Sequence, residues 1–464
     1  MEESRAVKKS REARSENKMG TMPIGRLIMT MSGPAIFTMF IQAFYNIVDS
    51  IFIAHLSERA LEALTIAFPV QLLMIAVGVG TGVGINSLIA RSLGAGDFKL
   101  ADQAASTGVK LAFFGGAAFA LFGVFFSGMF VRSFSSDDYV INSGSTYLMI
   151  VCIFSIFVMI TTTNEKIIQA TGNMTLPMIS GVVGAVVNIL LDPVLIFGLL
   201  GAPKLGMAGA ALATGTAQVI SMTLCTFFLF KKIDQVKPDV KQPFSKKVLK
   251  GIYGVGAPAI MMQAIASVML FGMNAILAGI SGTAVAVMGA YGRLQSFIFM
   301  PVLGINQGAM PVMGYNYGAR NRGRLMSAYK TSFFIAFCIM FAGFILFQTC
   351  SGVLLNIFDP SPDMIRLGIP ALRRISICFI PASFGIITSG MFQATGHGIM
   401  SLMASLLRQL LGILPTAYLL ARFGNETSVW WVFALSEIIG VVYSVLMVRF
   451  LYNNKIKHLE EVSL

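Results

Sequence analysis

Charge is what this sequence has least of. Asp, Glu, Lys and Arg together make up 12% of its 464 residues, about half the share carried by soluble globular domains. With 56% hydrophobic residues and a mean hydropathy of +0.77, the chain belongs in a lipid bilayer. Histidine is nearly absent too: His55 and His397 fall at loop edges and His458 near the end, so no metal or nucleophile constellation can be assembled from them. The five cysteines (Cys152, Cys225, Cys338, Cys350, Cys378) lie in apolar stretches without the CxxC or His pairing of a zinc site, and are expected to be packing residues. No GxxxxGK[ST] string occurs and no polar segment is large enough for a nucleotide domain, so no ATPase is visible in this sequence. The first 26 residues lack the apolar core of a cleaved signal peptide. These absences argue against an enzyme, and no cofactor is expected.

What is present is a repeat. Gln169-Ala170-Thr171-Gly172 returns as Gln393-Ala394-Thr395-Gly396, an offset of 224, and the same offset joins Pro34 to Pro258, Gln71 to Gln295, Gly80 to Gly304, Gly84 to Gly308 and Gly94-Ala95 to Gly318-Ala319. The chain is a duplication. Apolar runs of roughly 20 residues, the length that crosses a bilayer core, fall near 30–54, 64–90, 108–131, 146–168, 175–198 and 207–230. The second set falls near 254–280, 284–313, 331–356, 371–392, 399–420 and 429–452. The expected fold is all-α, with twelve transmembrane helices in two pseudo-symmetric six-helix bundles. An even number per copy gives both the same orientation, related by an axis along the membrane normal. The expected organisation is a tail over 1–26, an amino-terminal lobe over 27–230, a linker over 231–253, a carboxy-terminal lobe over 254–452 and a tail over 453–464.

Orientation follows from Lys and Arg in the connecting segments. Arg5, Lys8, Lys9, Arg11, Arg14, Lys18 and Arg26 crowd the first segment, and a run of lysines from Lys231 to Lys250 fills the linker. Arg91, Lys99, Lys110, Arg320, Arg322, Arg324, Lys330, Arg449, Lys455 and Lys457 fall on the same side; the opposite side holds only scattered charges such as Arg59, Arg132, Lys204, Arg366 and Arg422. Both termini are predicted to be cytoplasmic, in a plasma (inner) membrane. The net charge of +13 then reflects orientation and attraction to anionic lipid, with no nucleic-acid partner. The linker, with Pro238 and Pro243 among its lysines, reads as a solvated tether.

Tandem six-helix bundles with intramembrane Gly and Pro are features of a secondary transporter. Local sequences narrow this further: Val48-Asp49 in the first span, Arg91-x-x-Gly94-Ala95-x-Asp97 after the second, and Glu165 with Gln169-Ala-Thr-Gly172 ending the fourth. Asn188-Ile-Leu-Leu-Asp192-Pro193 in the fifth, Gly209-Ala-Ala-x-Ala213-Thr214 in the sixth and Gln393-Ala-Thr-Gly396 in the tenth complete the set. In their order and spacing the chain resembles the MATE (multidrug and toxic compound extrusion) transporters, most of all the bacterial MepA-like branch. The resemblance covers the whole chain and implies a V-shaped two-lobe antiporter; a monomer is expected. The major facilitator superfamily, also duplicated, carries a different loop after its second span.

An ionised side chain at mid-membrane costs about 2.5–3.5 kcal/mol on insertion scales, so each acid there needs a partner, a proton or a use. Asp49, Glu165, Asp192 and Glu437 fall in or at the edges of spans. At the 224 offset Asp49 faces Met273, Glu165 faces Ser389 and Asp192 faces Thr416, so the second copy is neutral at all three of these positions. Gln42, Tyr45, Asn46 and Asp49 share one helix face, where the second copy has Ala266, Met269, Leu270 and Met273. Asn188 and Asp192 also face one way, with Pro193 freeing carbonyls nearby. Carboxylates with an amide and a hydroxyl suit Na+, and carboxylates alone suffice for H+.

The MATE resemblance implies the same place, with Asp49, Asn188 and Asp192 as the cation site, Thr214 and Tyr147 assisting, and Glu165 matching an acid of the MepA-like branch. It also implies export of amphipathic, often cationic compounds in exchange for H+ or Na+. A carboxylate in the seventh or eighth span, which other branches carry, is missing from 254–313. Met269 and Met273, with Gln42, Tyr45, Asn46 and Arg293, are expected to line a substrate cavity, since Met is soft and adaptable. Glu437, opposite Ala213, pairs with Arg293 or Arg408 as an interlobe lock or lines the substrate path. The alternative reading is a flippase for a lipid-linked oligosaccharide, which needs a strongly cationic cavity, and here only Arg293 and Arg408 are obvious intramembrane bases.

Overall fold

Backbone N–H and C=O groups inside a bilayer must bond within their own segment, so spans this apolar fold as helices. The computed structural model describes residues 17–239, 241–424 and 426–459, all helix and connection, with no strand among the described residues. Arg5, Lys8, Lys9, Arg11 and Arg14, part of the orientation argument, lie outside them.

The first copy comprises α1 (Ile24–Ala54), α2 (Glu58–Gly94), α3 (Phe98–Arg132), α4 (Asp138–Ile153), α5 (Ser155–Ala170), α6 (Thr175–Phe197) and α7 (Met207–Lys232). The second comprises α8 (Lys246–Ala278), α9 (Gly282–Gly318), α10 (Arg322–Thr349), α11 (Pro362–Ser376), α12 (Phe379–Ala394), α13 (Gly398–Phe423) and α14 (Ser428–Ile456). Ten of these helices are long and apolar enough to cross a membrane, and the bent pairs α4–α5 and α11–α12 bring the number to twelve. The chain is a multi-pass membrane protein. The fourth and tenth spans, expected to be continuous, bend by 43° and 47°. Pro381 is not the cause, because its counterpart Phe157 sits in a span that bends as much without any proline.

The duplication extends to hydrogen bonds. Ser57 Oγ accepts from the Ala60 amide at 3.1 Å, and Ser281 Oγ from the Ala284 amide at 3.1 Å. Asp97 Oδ1 and Asn321 Oδ1 cap Leu100 and Arg324, each at 3.0 Å; Asp137 and Ser361 cap α4 and α11. Each satisfies amides that an opening helix turn leaves without partners. Gly172 (φ +90°) and Gly396 (φ +87°) both turn the chain in the left-handed region, so the repeated Gln-Ala-Thr-Gly strings are helix stops.

Contacts divide the described chain into two units. The first is Phe37–Ile260 with Asn17 and Lys18; the second is Met19–Ile36 with the described residues from Met261 onward. The boundaries at Ile36 and Ile260 are themselves 224 apart, so α1 and α8 each divide between the units at the same repeat position. The cause is a close-packed seam within each unit. A Cβ on Gly80 would meet Ile260 N at 2.7 Å and one on Gly84 would meet Ile252 O at 2.1 Å, while Gly304 and Gly308 press equally on Ile36 and Ser32. Small residues let helix backbones approach to this distance.

The linker departs from expectation. It is not a solvated tether: Ile233 and Val236 are buried, the Lys237 amide donates to Asp102 Oδ1 at 2.6 Å, and the Asp239 amide to Ser106 Oγ at 2.8 Å. Lys110 of α3 donates to the Gln242 carbonyl and lies 5.1 Å from the Phe244 ring centre. The polar first turns of α3 supply these partners, which a count of lysines and prolines does not reveal. Among the cysteines, Cys152, Cys225 and Cys378 are buried as packing residues, whereas Cys338 is exposed and Cys350 half-buried at a helix break.

Candidate cation-binding site

The sixth and seventh helices are locked together before any functional group is placed. Ser180 Oγ donates to the Ser221 carbonyl at 2.8 Å, and Ser221 Oγ returns a bond to the Ser180 carbonyl at 3.2 Å. Gly184 and Gly209 permit the close approach, since a Cβ on Gly209 would lie 2.3 Å from the Leu195 carbonyl oxygen. Beyond Pro193, the end of α6 is held by bonds from the Leu205 and Gly206 amides to Leu195 and Ile196.

This frame fixes Asn188, whose Nδ2 donates to Asp192 Oδ1 at 3.4 Å one turn along α6 and to Thr214 Oγ1 of α7 at 3.3 Å. Asn188 is 3% exposed and Asp192 0%. From α4, Tyr147 is buried and its hydroxyl accepts from Gln71 Nε2 of α2 at 3.0 Å. Asp49 and Tyr45 of α1 complete the group. Asp49 lies within electrostatic range of Tyr45, Tyr147 and Asp192, Tyr147 within range of Tyr45 and Asp192, and Glu165 of α5 within range of Tyr45. Every helix of the first copy except α3 contributes.

The acceptors are what distinguish this cluster. Asp49 Oδ1, Asn188 Oδ1 and Asp192 Oδ2 are buried and accept a hydrogen bond from no described residue. Leaving a buried acceptor unmade costs about 1–3 kcal/mol, more for a charged group. Three such oxygens in one cluster suit a small bound cation: a hard ion takes oxygen ligands, and a proton turns a carboxylate into a donor.

The other expected residues are placed as follows. Lys166, beside Glu165, is buried rather than solvated and donates to Gln169 Oε1 at 3.0 Å. Gln42 and Asn46 are exposed, Met269 is half-buried and Met273 is wholly buried, so Met273 packs in this conformation. Arg293 is exposed and ion-paired to no described residue. Glu437 pairs with Arg408, Nη1 to Oε1 at 2.9 Å; both belong to the second unit, so this pair does not join the units. Gln71, read from the sequence only as a repeat landmark, proves to hold Tyr147. An amide in mid-span among Val70, Leu72 and Leu73 was the available signal.

A family model, MatE, matches residues 34–194 and again 258–419, the two halves of the duplication. The chain is 25% identical to the Multidrug export protein MepA of Staphylococcus aureus (strain MSSA476) over 436 residues, spanning 92% of this chain and 94% of that one. A MepA of Staphylococcus haemolyticus (strain JCSC1435) is 25% identical over 433 residues. Among solved structures, an outward-facing multidrug resistance MATE family transporter of the MOP superfamily aligns with a TM-score of 0.86 at 27% identity. The match covers 96% of this chain and 98% of that one. A MATE in the straight conformation aligns with a TM-score of 0.87 at 27% identity, covering 94% and 99%. With both repeats matched by the family model and the fold matched end to end, the chain belongs to the MatE family of membrane transporters.

Proposed function

We propose that this protein is a multidrug efflux antiporter of the plasma membrane. It exports amphipathic, often cationic compounds in exchange for H+ or Na+ taken up at Asp49, Asn188 and Asp192, with Thr214, Tyr147 and Glu165 assisting. The observation that carries the reading is the cluster of three buried oxygens without donors. The similarity to MepA proteins supports the substrate class, and the lysine-rich segments support cytoplasmic termini.

The energetics favour two protons over one. Expelling a monovalent cation against a thousandfold gradient costs about 4.1 kcal/mol, plus about 2.3 kcal/mol per 100 mV of membrane potential. Exchange for one proton is electroneutral and draws only on the pH gradient, about 1.4 kcal/mol per unit. Two neighbouring carboxylates, Asp49 and Asp192, have room for two protons. A lipid-linked oligosaccharide flippase, which needs a strongly cationic cavity, is less well supported, because of the two obvious intramembrane bases Arg408 has its charge balanced by Glu437.

The test is uptake of ethidium by proteoliposomes energised with either a pH or a Na+ gradient. Wild-type protein should accumulate the dye under one of them, and Asp49→Asn with Asp192→Asn should not. Full accumulation by the double variant would remove the assignment.

A further inference from the structure

The fifth and sixth spans of the first copy, α6 and α7, carry the cation cluster. Their counterparts in the second copy, α13 and α14, carry Arg408 and Glu437, where the first has Gly184 and Ala213. Duplication therefore placed a polar site on the same helix pair twice, with different chemistry. Neither charge is required by the shared fold.

The local backbone around Arg408 is unusual. Residues Leu406–Ile413 form a π-helical stretch inside α13, a rare conformation frequent at functional sites. Glycines accommodate it. A Cβ on Gly412 would come within 3.0 Å of Ser436 Cβ, and one on Gly440 within 3.3 Å of Arg408 Cδ. Glu437 is 6% exposed, and Tyr291 and Cys378 lie within electrostatic range of the pair.

The guanidinium is incompletely used. Arginine offers five N–H donors; Nη1 bonds Glu437, and no other hydrogen bond joins the Arg408 side chain to a described residue. Its side chain is 24% exposed, and none of its nitrogens is among the buried, unbonded atoms, so the spare donors are not fully enclosed by protein. Arg408 is the eleventh residue of α13, about 15 Å along at 1.5 Å per residue. That is near the middle of a hydrocarbon core about 30 Å thick, well below the lipid phosphates.

We propose that Arg408 is a second ligand site, binding the carboxylate of an anionic or zwitterionic organic substrate, with Glu437 as the internal counter-ion that keeps the site neutral when empty. The planar fork matches a carboxylate in a bidentate manner, and the depth selects a compound that enters the bundle over a lipid headgroup. The proposal rests on the transporter reading, but uses none of the residues of the cation cluster.

The experiment is equilibrium binding to purified full-length protein of a rhodamine dye with a free carboxylate, against its methyl ester. Arg408→Gln should weaken the free acid by about tenfold or more and leave the ester unchanged, while Arg408→Lys retains part of the difference. Glu437→Gln should tighten the acid, because the guanidinium no longer has a competing carboxylate. Should a lone charge prevent folding, the neutral pair Arg408→Gln with Glu437→Gln keeps the test: it should bind acid and ester alike. Equal effects on both dyes, or none, would show the pair to be structural. Competition by phosphatidylglycerol for the free acid would assign the site to lipid and overturn the proposal. Gradient-driven ethidium uptake by the same variants reads the cation cluster separately, so the two readings fail independently.

Discussion

The two copies of this protein share helix caps, glycine seams and stop signals to the residue, yet differ where α6 meets α7 and α13 meets α14. In the first copy the pair holds Asn188, Asp192 and Thr214, with acceptors in excess of donors. In the second it holds Arg408 and Glu437, with donors in excess of acceptors. The scaffold tolerates both because the packing is supplied elsewhere, by Ser180, Ser221, Gly184 and Gly209 in one and by Gly412 and Gly440 in the other. Fold and chemistry are carried by separate residues, so one duplicated unit holds two different polar groups on the same helix pair.

The comparison can be broken most directly at the acids. Asp192→Asn should lower gradient-driven dye accumulation in proteoliposomes by more than about tenfold, or about 1.4 kcal/mol, whereas Thr416→Ala at the matching position should leave it in place. Loss in both would mean that the copies share the work. In stability rather than transport the largest effect is expected of Glu437→Ala, which strands the Arg408 guanidinium beside a vacated partner and should destabilise by about 3 kcal/mol, read as a lower unfolding midpoint in detergent. Replacing both, by Glu437→Leu and Arg408→Met, should restore most of that loss.

Where the copies are alike, equal effects are expected. Gly84→Ala and Gly308→Ala each force a Cβ into a neighbouring backbone, at 2.1 Å from Ile252 O and 2.8 Å from Ser32 N. Overpacking of this kind costs about 1–3 kcal/mol, and Gly254→Ala, with nothing within 4 Å, should cost nothing. A loss at Gly84 alone would show that the seam is used unequally. The smallest effect concerns a turn that the copies build differently: Gly96 has φ +70° and its counterpart Arg320 has φ +56°. A left-handed non-glycine residue costs about 1 kcal/mol, so Arg320→Gly should stabilise by about that amount and Gly96→Arg should lose it, both read by thermal unfolding.

Much of the fold and of the cation cluster is legible in the residues themselves. Twelve spans follow from run length, since a bilayer admits little besides helices of that size. The one-sided acids follow from the offset set by two identical tetrapeptides. Other features are hidden, each for a physical reason. The bends at Phe154 and Cys378 leave hydropathy unchanged. The linker binds α3 through its own backbone amides, and backbone groups have no sequence signature. Gln71 meets Tyr147 only because α2 brings it there.

Composition and periodicity determined by themselves that this chain crosses a membrane twelve times in two copies, because burial of apolar length is a local, additive property of the sequence. They also determined that Asp49, Glu165 and Asp192 have neutral counterparts in the second copy. Tertiary structure alone decided which oxygens are left without donors, that Glu437 chose Arg408 over Arg293, and that α1 and α8 divide between the units at Ile36 and Ile260. Those outcomes depend on distances between segments remote in sequence, set by close glycine contacts that no single helix contains.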